Sequence, residues 1–285
     1  MNRVQQLRDL LAQPGLQVMP CCFDALSAKL IERAGFPVTF MSGFAVSVAR
    51  LGLPDTGLIS YAEMADQGRN ICDAVSIPVI GDGDTGYGNP LNVKRTVQGY
   101  AQAGFACIMI EDQVAPKRCG HTRGKQTVPR EEALIRLRAA LDARDEGAEI
   151  LVMARTDARA TEGFDEALAR AQAFRALGAD ITFLEAPQSE DEMRRYCAEV
   201  EGPKMANLVE QGDTPLLPPA RLEALGYKLA AYPLTLQLAA LQAMTEALEA
   251  MQAGRHPERL AGFKDLQAVA GFPEYFAAEK AYSGA

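Results

Sequence analysis

The sequence predicts a (β/α)8 barrel, and three observations carry that prediction. Eight short apolar runs, each of strand length, recur along the chain. Helix-patterned stretches separate most of them, and many of these end in Gly, the residue that suits the position just past a helix. The runs are almost continuously apolar, as strands of a parallel sheet covered on both faces are. An open doubly wound sheet shares the alternation, but it carries a Gly-rich phosphate loop after its first strand. FDALSAK (23–29) has none.

In chain order, MNRVQQLRDLLAQPG (1–15) reads as a polar amphipathic helix and not a signal peptide. LQVMPCCF (16–23) is the first strand and ALSAKLIERAG (25–35) the helix after it. PVTFMSG (37–43) is the second strand, followed by the helix YAEMADQGRNICDAV (61–75). IPVIGDGD (77–84) and NVKRTVQGYAQAG (92–104) form the third pair, FACIMIED (105–112) and REEALIRLRAALDARDEG (130–147) the fourth. EILVMART (149–156) is paired with FDEALARAQAFRALG (164–178). DITFLEAP (180–187) and PKMANLV (203–209) are the sixth and seventh strands, PARLEALG (219–226) a helix, and KLAAYPL (228–234) the eighth strand.

LTLQLAALQAMTEALEAMQ (234–252) is apolar around much of its circumference, through Leu234, Leu238, Leu241, Met244, Leu248 and Met251. Such a helix is buried, either on its own barrel or on a second subunit, and a homo-oligomer is expected. The expected organisation is one barrel domain over 1–285 with a C-terminal helical extension from about 235.

Composition narrows the function. Hydrophobic residues are 48% and charged residues 23%, as in ordinary soluble globular proteins. Thirty-seven acidic against 29 basic residues give a net charge of −8, which disfavours nucleic acid and offers no basic face to a membrane. No apolar run is long enough to span a bilayer, so a cytoplasmic location is expected. The six cysteines show no CxxC spacing, and reduced thiols rather than a zinc site are expected.

The apolar runs stop at polar residues: Ser42-Gly43, Asp82-Gly83-Asp84, Glu111-Asp112, Arg155-Thr156-Asp157, Glu185 and Asn207. In a barrel all of these surround one mouth, the face that carries the chemistry. Asp82 and Asp84, two apart on extended chain, present two carboxylates to one side, and a divalent cation relieves their repulsion. Hard oxygen donors without a convergent His or Cys set favour Mg2+ or Mn2+, with Glu111 completing the site directly or through water. Arg155 suits a substrate carboxylate or a developing oxyanion, or an ion pair with Glu185 or Glu111. Ser42-Gly43 offers a hydroxyl and open amides to another carboxylate.

One loop holds what remains. PKRCGHTRGKQ (116–126) follows the fourth strand and is long for such a connection, as a lid over the mouth would be. Its Lys117, Arg118, Arg123 and Lys125 attract an anionic substrate. Cys119, set among them, is expected to have a depressed pKa while the lid is empty. A bound polyanion is expected to reverse part of that depression and let the thiol donate a proton, with His121 orienting the thiol or binding a carboxylate.

The motifs SGFAVSVARLGLPD, GDGDTGYGN, IEDQVAPKRCGH, VMARTDA, LEAP and ANLVEQGDTPL occur in this order. With them the chain resembles the isocitrate lyase/phosphoenolpyruvate mutase superfamily over about 17–250, and within it the 2-methylisocitrate lyase-like branch acting on 2-substituted malates. The resemblance implies a tetrameric barrel whose eighth helix is exchanged between subunits. It implies Asp84 as direct Mg2+ ligand, with Asp55, Asp82 and Glu111 holding the metal's waters. Ser42, Gly43, Gly120, His121, Arg155, Glu185 and Asn207 would contact a small carboxylate substrate, with Cys119 the catalytic acid and His121, Lys117 and Arg155 its catalytic neighbours.

The implied reaction is retro-aldol cleavage of a 2-hydroxy acid into an α-keto acid and a second carboxylate. The Tyr-x-Ser-Gly-Gly typical of the 2-methylisocitrate lyases is replaced here by Phe40-Met41-Ser42-Gly43-Phe44. That exchange alters the pocket that grips the substrate and adds Phe44 to its contacts, so the expected substrate is 2-methylisocitrate or another 2- or 3-substituted malate. KRCGH also occurs in a carboxyphosphonoenolpyruvate mutase, so a phosphonomutase is the alternative. A decarboxylase or hydrolase of the same superfamily is a further one.

Overall fold

A computed structural model describes residues 2–120 and 124–283. Residues 2–235 and 236–283 of it fall in two compact units.

The first unit is a closed barrel of eight parallel strands in sequence order. The strands are β1 (Gln17–Cys22), β2 (Thr39–Met41), β3 (Val79–Asp82), β4 (Cys107–Glu111), β5 (Leu151–Thr156), β6 (Ile181–Leu184), β7 (Lys204–Asn207) and β8 (Leu229–Tyr232). β8 closes on β1 with Gln17 opposite Leu229. Each strand lies inside one predicted apolar run, and those runs overshoot the ladder mainly by the polar residues at its end. That overshoot is informative, because the residues past the last ladder bond are the ones free to serve the mouth.

Helices predicted from sequence form with their expected caps. After α1 (Arg3–Ala12) and α2 (Ala25–Arg33), α4 (Tyr61–Ala74) starts from a Ser60–Glu63 capping box. α5 (Pro90–Gln102) starts from Asn89, whose side chain accepts from the Leu91 and Asn92 amides, with Pro90 in the first turn. Between α2 and α4 lie a short α3 (Gly43–Val46) and a π-helical turn (Ser47–Leu51) that the apolar pattern did not mark.

The barrel interior is a packed core. Met19, Phe40, Ile80, Met109, Met153, Phe183, Met205 and Leu229 fill it, and Val4 and Leu7 of α1 join the same cluster. Leu7 is fully buried, worth roughly 1.5–3 kcal/mol of hydrophobic stabilisation. A second cluster lies between the strands and α8 (Phe164–Leu177), α9 (Glu190–Glu199) and α10 (Pro219–Leu225), around Leu168, Met193, Tyr196 and Leu222. Tyr196 hydroxyl pairs with Thr182 there at 2.8 Å, so the buried phenol is satisfied. The remaining elements of this unit are α6 (Arg130–Asp145) and α7 (Ala158–Thr161).

The second unit holds α11, which spans Thr235–Gln252, with α12 (Phe263–Ala270) and α13 (Phe272–Tyr282). Leu238, Leu241, Met244, Leu248 and Met251 of α11 are all exposed. No helix among the described residues is long and apolar enough to cross a membrane. All six cysteines are free thiols, five buried and Cys119 half-buried.

Candidate active site

The ends of β3 and β4 build an acidic corner. Asp82 closes β3, and its Oδ2 accepts from the Gly43 amide at 3.2 Å while Oδ1 accepts from the Asp84 amide at 3.1 Å. A Cβ at position 43 would stand 2.4 Å from Asp82 Oδ2, so only glycine permits this approach. The amide that the sequence offered to a ligand is therefore occupied by Asp82. The Ser42 hydroxyl in turn caps α3 by accepting from the Ala45 amide.

Asp84 has φ 47, a left-handed conformation that costs a non-glycine residue about 1 kcal/mol. Its carbonyl accepts from the Glu111 amide at 2.9 Å, which draws the end of β4 alongside.

Lys117 descends into this corner from the loop after β4. Its Nζ lies 2.7 Å from Asp55 Oδ1 and 2.8 Å from Asp84 Oδ1, with 5% of the side chain exposed. Ser47, in the π-helical turn, donates to the same Asp55 Oδ1 at 3.4 Å. Burial opposes the Lys117 ammonium, but Asp84, Asp82, Asp55 and Glu111 together outweigh it and hold it charged. Burial lifts the Asp84 carboxyl to about 7; Lys117 pulls against that rise, and Asp82 and Asp55 add to it.

A second cluster surrounds Arg155, which sits opposite Glu111 in the β4–β5 register. Arg155 Nε donates to Asp157 Oδ2 at 2.8 Å and Nη2 to Asp157 Oδ1 at 3.0 Å. Nε also lies 3.3 Å from Glu111 Oε2, and Nη2 3.1 Å from Glu185 Oε2. Both ion-pair partners expected for Arg155 are present, and Asp157 is a third that the sequence reading did not assign. Nη1 makes no hydrogen bond to a described residue, and Arg155 lines the cavity beneath the loop. Burial pushes Glu111 well above the usual carboxylate range against the pull of Arg155. Burial opposes the Asp157 charge too, but Arg155 and then Lys125 overcome it and hold that carboxyl low. Asn207 donates to both Glu185 oxygens at 3.3 Å.

Six buried carboxyl groups, on Asp55, Asp82, Asp84, Glu111, Asp157 and Glu185, thus face three buried cations, Lys117, Arg155 and Lys125. Such an excess is met by protons or by a cation. Glu111 Oε1 is buried without a hydrogen bond, and the buried Asp84 Oδ1 meets only the Lys117 ammonium, in an ion pair at 2.8 Å. An unbonded Glu111 oxygen beside an Asp84 oxygen met only by Lys117, in a corner of carboxylate oxygens, fits Mg2+. Among the described residues no three His, Cys, Asp or Glu side chains are grouped so as to hold a metal ion by themselves. A cation here would keep most of its waters, as Mg2+ does.

Above both clusters the loop closes a cavity of about 60 Å³. Cys119, Gly120, Lys117 and Arg118 line it from the loop. Ser42, Asp55, Asp82, Arg155, Glu185 and Asn207 line it from the strand ends and the loops that follow them. Asp84 and Glu111 lie behind this wall, reached through Lys117 and Arg155. The apolar wall includes Phe40, Phe44, Met109, Phe183, Val209 and Leu234, of which the sequence assigned Phe40 and Phe44 to the pocket and Leu234 to the tail helix. Gly120 packs so closely that a Cβ would lie 2.5 Å from both Arg155 Nη2 and Glu185 Oε2.

The structure thus brings Ser42, Gly43, Phe44, Asp55, Asp82, Asp84, Glu111, Lys117, Cys119, Gly120, Arg155, Glu185 and Asn207 to one barrel mouth. His121 lies outside the described residues. Sequence reasoning missed Gln113, which anchors the loop, and the role of Asp157. The signal for Asp157 was its place two residues past Arg155 in ARTDA.

Residues 7–252 match the family model described as phosphoenolpyruvate phosphomutase. The chain is 45% identical over 252 residues to 2,3-dimethylmalate lyase of Eubacterium barkeri, covering 88% of this chain and 87% of that one. The structure of an oxaloacetate acetylhydrolase bound to 3,3-difluorooxalacetate superposes with a TM-score of 0.95 at 32% identity, covering 98% of this chain and 97% of the other. A phosphonopyruvate hydrolase complex with oxalate and Mg2+ superposes with a TM-score of 0.88 at 31% identity, over 99% of each chain.

Proposed function

The chain belongs to the phosphoenolpyruvate mutase/isocitrate lyase superfamily, and on that premise we propose that it is a Mg2+-dependent carbon–carbon lyase. Its substrate is a 2- or 3-substituted malate, split into an α-keto acid and a second carboxylate. One observation carries this reading: the Cys119 thiol lines the same small cavity as Arg155 and the edge of the acidic corner. A lyase that leaves a carbanion needs an acid on the face opposite the metal, and a thiol is such an acid. The similarity to 2,3-dimethylmalate lyase supports the same substrate class.

The chemistry follows from the groups in place. Mg2+ bound at Asp84 would supply a Lewis acid for the substrate's 2-oxygen. Arg155 Nη1 takes one substrate carboxylate, with the guanidinium already oriented by Asp157 and Glu185. Ser42 and Asn207 contact the rest of the acid, and Phe44, Val209 and Leu234 accommodate an alkyl substituent. The 2-hydroxyl releases its proton to the acidic corner, the C2–C3 bond breaks, and its electron pair moves onto C3. Cys119 delivers its proton to C3, a contribution of roughly 10²–10⁴-fold. The closed loop keeps water from competing for the carbanion.

The test is direct product analysis with purified protein over a panel of 2-alkylmalates, 2,3-dimethylmalate, 2-methylisocitrate and oxaloacetate, with and without EDTA. The expected result is α-keto acid released from an alkylated malate, with activity abolished by EDTA and restored by Mg2+. Turnover of oxaloacetate alone, or cleavage that ignores EDTA, would sink the lyase reading.

A further inference from the structure

Two side chains outside the proposed chemistry grip the loop that carries Cys119. The loop rises from a short hairpin stem, in which the Val114 amide donates to Gln126 and the Val128 amide to Asp112 at 2.8 and 2.9 Å. Inside that stem Gln113, 1% exposed, bonds Arg118 in both directions: Nε2 donates to its carbonyl and Oε1 accepts from its amide, at 2.8 and 2.9 Å. The peptide just before Cys119 is therefore fixed by a residue rooted at the barrel.

The residue just after Cys119 is held by Lys125. Its ammonium donates to the Gly120 carbonyl and also to Asp157 Oδ1, the latter at 3.1 Å, and the side chain is 5% exposed. Asp157 Oδ1 is the same oxygen that receives Arg155 Nη2. A buried ammonium needs its partners, and a buried carboxylate shared by two cations loses one of them if the loop lifts. The cost of opening thus falls on Asp157 and, through it, on Arg155.

We infer that Lys125 is a positioning residue: by joining the Gly120 carbonyl to Asp157 it latches the loop shut and makes loop closure and the orientation of Arg155 a single event. The consequence for turnover rests on the lyase reading above, in which Cys119 must sit over the substrate; the latch itself does not. Lys125 touches no reacting atom. It acts through Gly120, which presses on Arg155 and Glu185, and through Asp157, which sets the guanidinium plane.

The experiment uses Lys125→Met, which keeps the stem of the side chain and removes the charge, and reads alkylation by iodoacetamide. The other five thiols are buried, so the fast phase in native protein reports Cys119. Oxalate with Mg2+ serves as the dicarboxylate probe. In the wild type, oxalate should slow alkylation by about tenfold or more; in the variant the protection should shrink to about twofold or less. On the best 2-alkylmalate, kcat should fall about 100-fold, while KM changes by less than about fivefold, the pattern of a misplaced group rather than a lost binding contact.

A variant that keeps wild-type protection and kcat would overturn the latch, as would a wild type that oxalate does not protect. If Lys125→Met fails to fold, Lys125→Gln, which retains a neutral donor, takes its place with the same two readouts. A wild type that cleaves no hydroxy acid but shows protection lost in the variant would refute the lyase reading and leave the latch standing.

Discussion

A buried carboxylate in a left-handed backbone conformation is costly to fold, and Asp84 carries both burdens, with burial raising its pKa despite the Lys117 ion pair. The cost is reasonable where a metal ion adds to the charge that Lys117 supplies. Asp84→Asn keeps the shape and removes the charge, and the expected result is a loss of Mg2+ affinity of about 100-fold or more in calorimetry, with little change in thermal stability. Unchanged affinity would rule Asp84 out as the ligand. At this scale the sequence was a good guide to the acidic corner, because two aspartates around one glycine at a strand end leave few other arrangements. It was a poor guide to the Arg155 cluster. Asp157 stands in the same strand-end motif, yet only the fold brings it bidentate to Arg155 and within 3.1 Å of Lys125, which lies 32 residues away along the chain. Gln113 is legible only as a polar residue in IEDQ, since its partners are backbone atoms five residues on.

Elements with a strong period were legible, and those made by local hydrogen bonding were not. The eight strands follow from continuous apolar runs, and the Gly that ends α8 and α10 adopts the left-handed cap the pattern implied. α9 has few apolar positions and was passed over, although Ser189 followed by Glu192 is a cap signal, and the Ser189 hydroxyl does accept from the Glu192 amide at 3.1 Å. The π-helical turn that puts Ser47 against Asp55 leaves no periodic trace at all. α11 is a different case, a legible helix whose role depends on what covers it. Its Leu238, Leu241, Met244, Leu248 and Met251 are exposed, a larger apolar stripe than a solitary helix tolerates in water. Covering that stripe with the same helix of another copy predicts more than one chain per particle in light scattering, and a shift toward single chains in Leu241→Lys. A monodisperse single chain in the wild type would contradict this.

For the whole molecule, the barrel turns scattered strand ends into one site. β3, β4, β5, β6 and β7 each place a polar residue at or just past their last ladder bond, and the loop after β4 closes over them. A chain with net charge −8 sets Lys117, Arg118 and Arg155 in the wall of that mouth, so that an anionic substrate meets these cations rather than the average surface. The proposed cleavage then depends on one thiol acting on a carbanion. Turnover by Cys119→Ser, measured as α-keto acid release from the best 2-alkylmalate at saturating Mg2+, tests it most directly. A fall of at least about 100-fold with oxalate binding unchanged is expected; a variant that kept more than about a tenth of wild-type kcat would contradict the assignment.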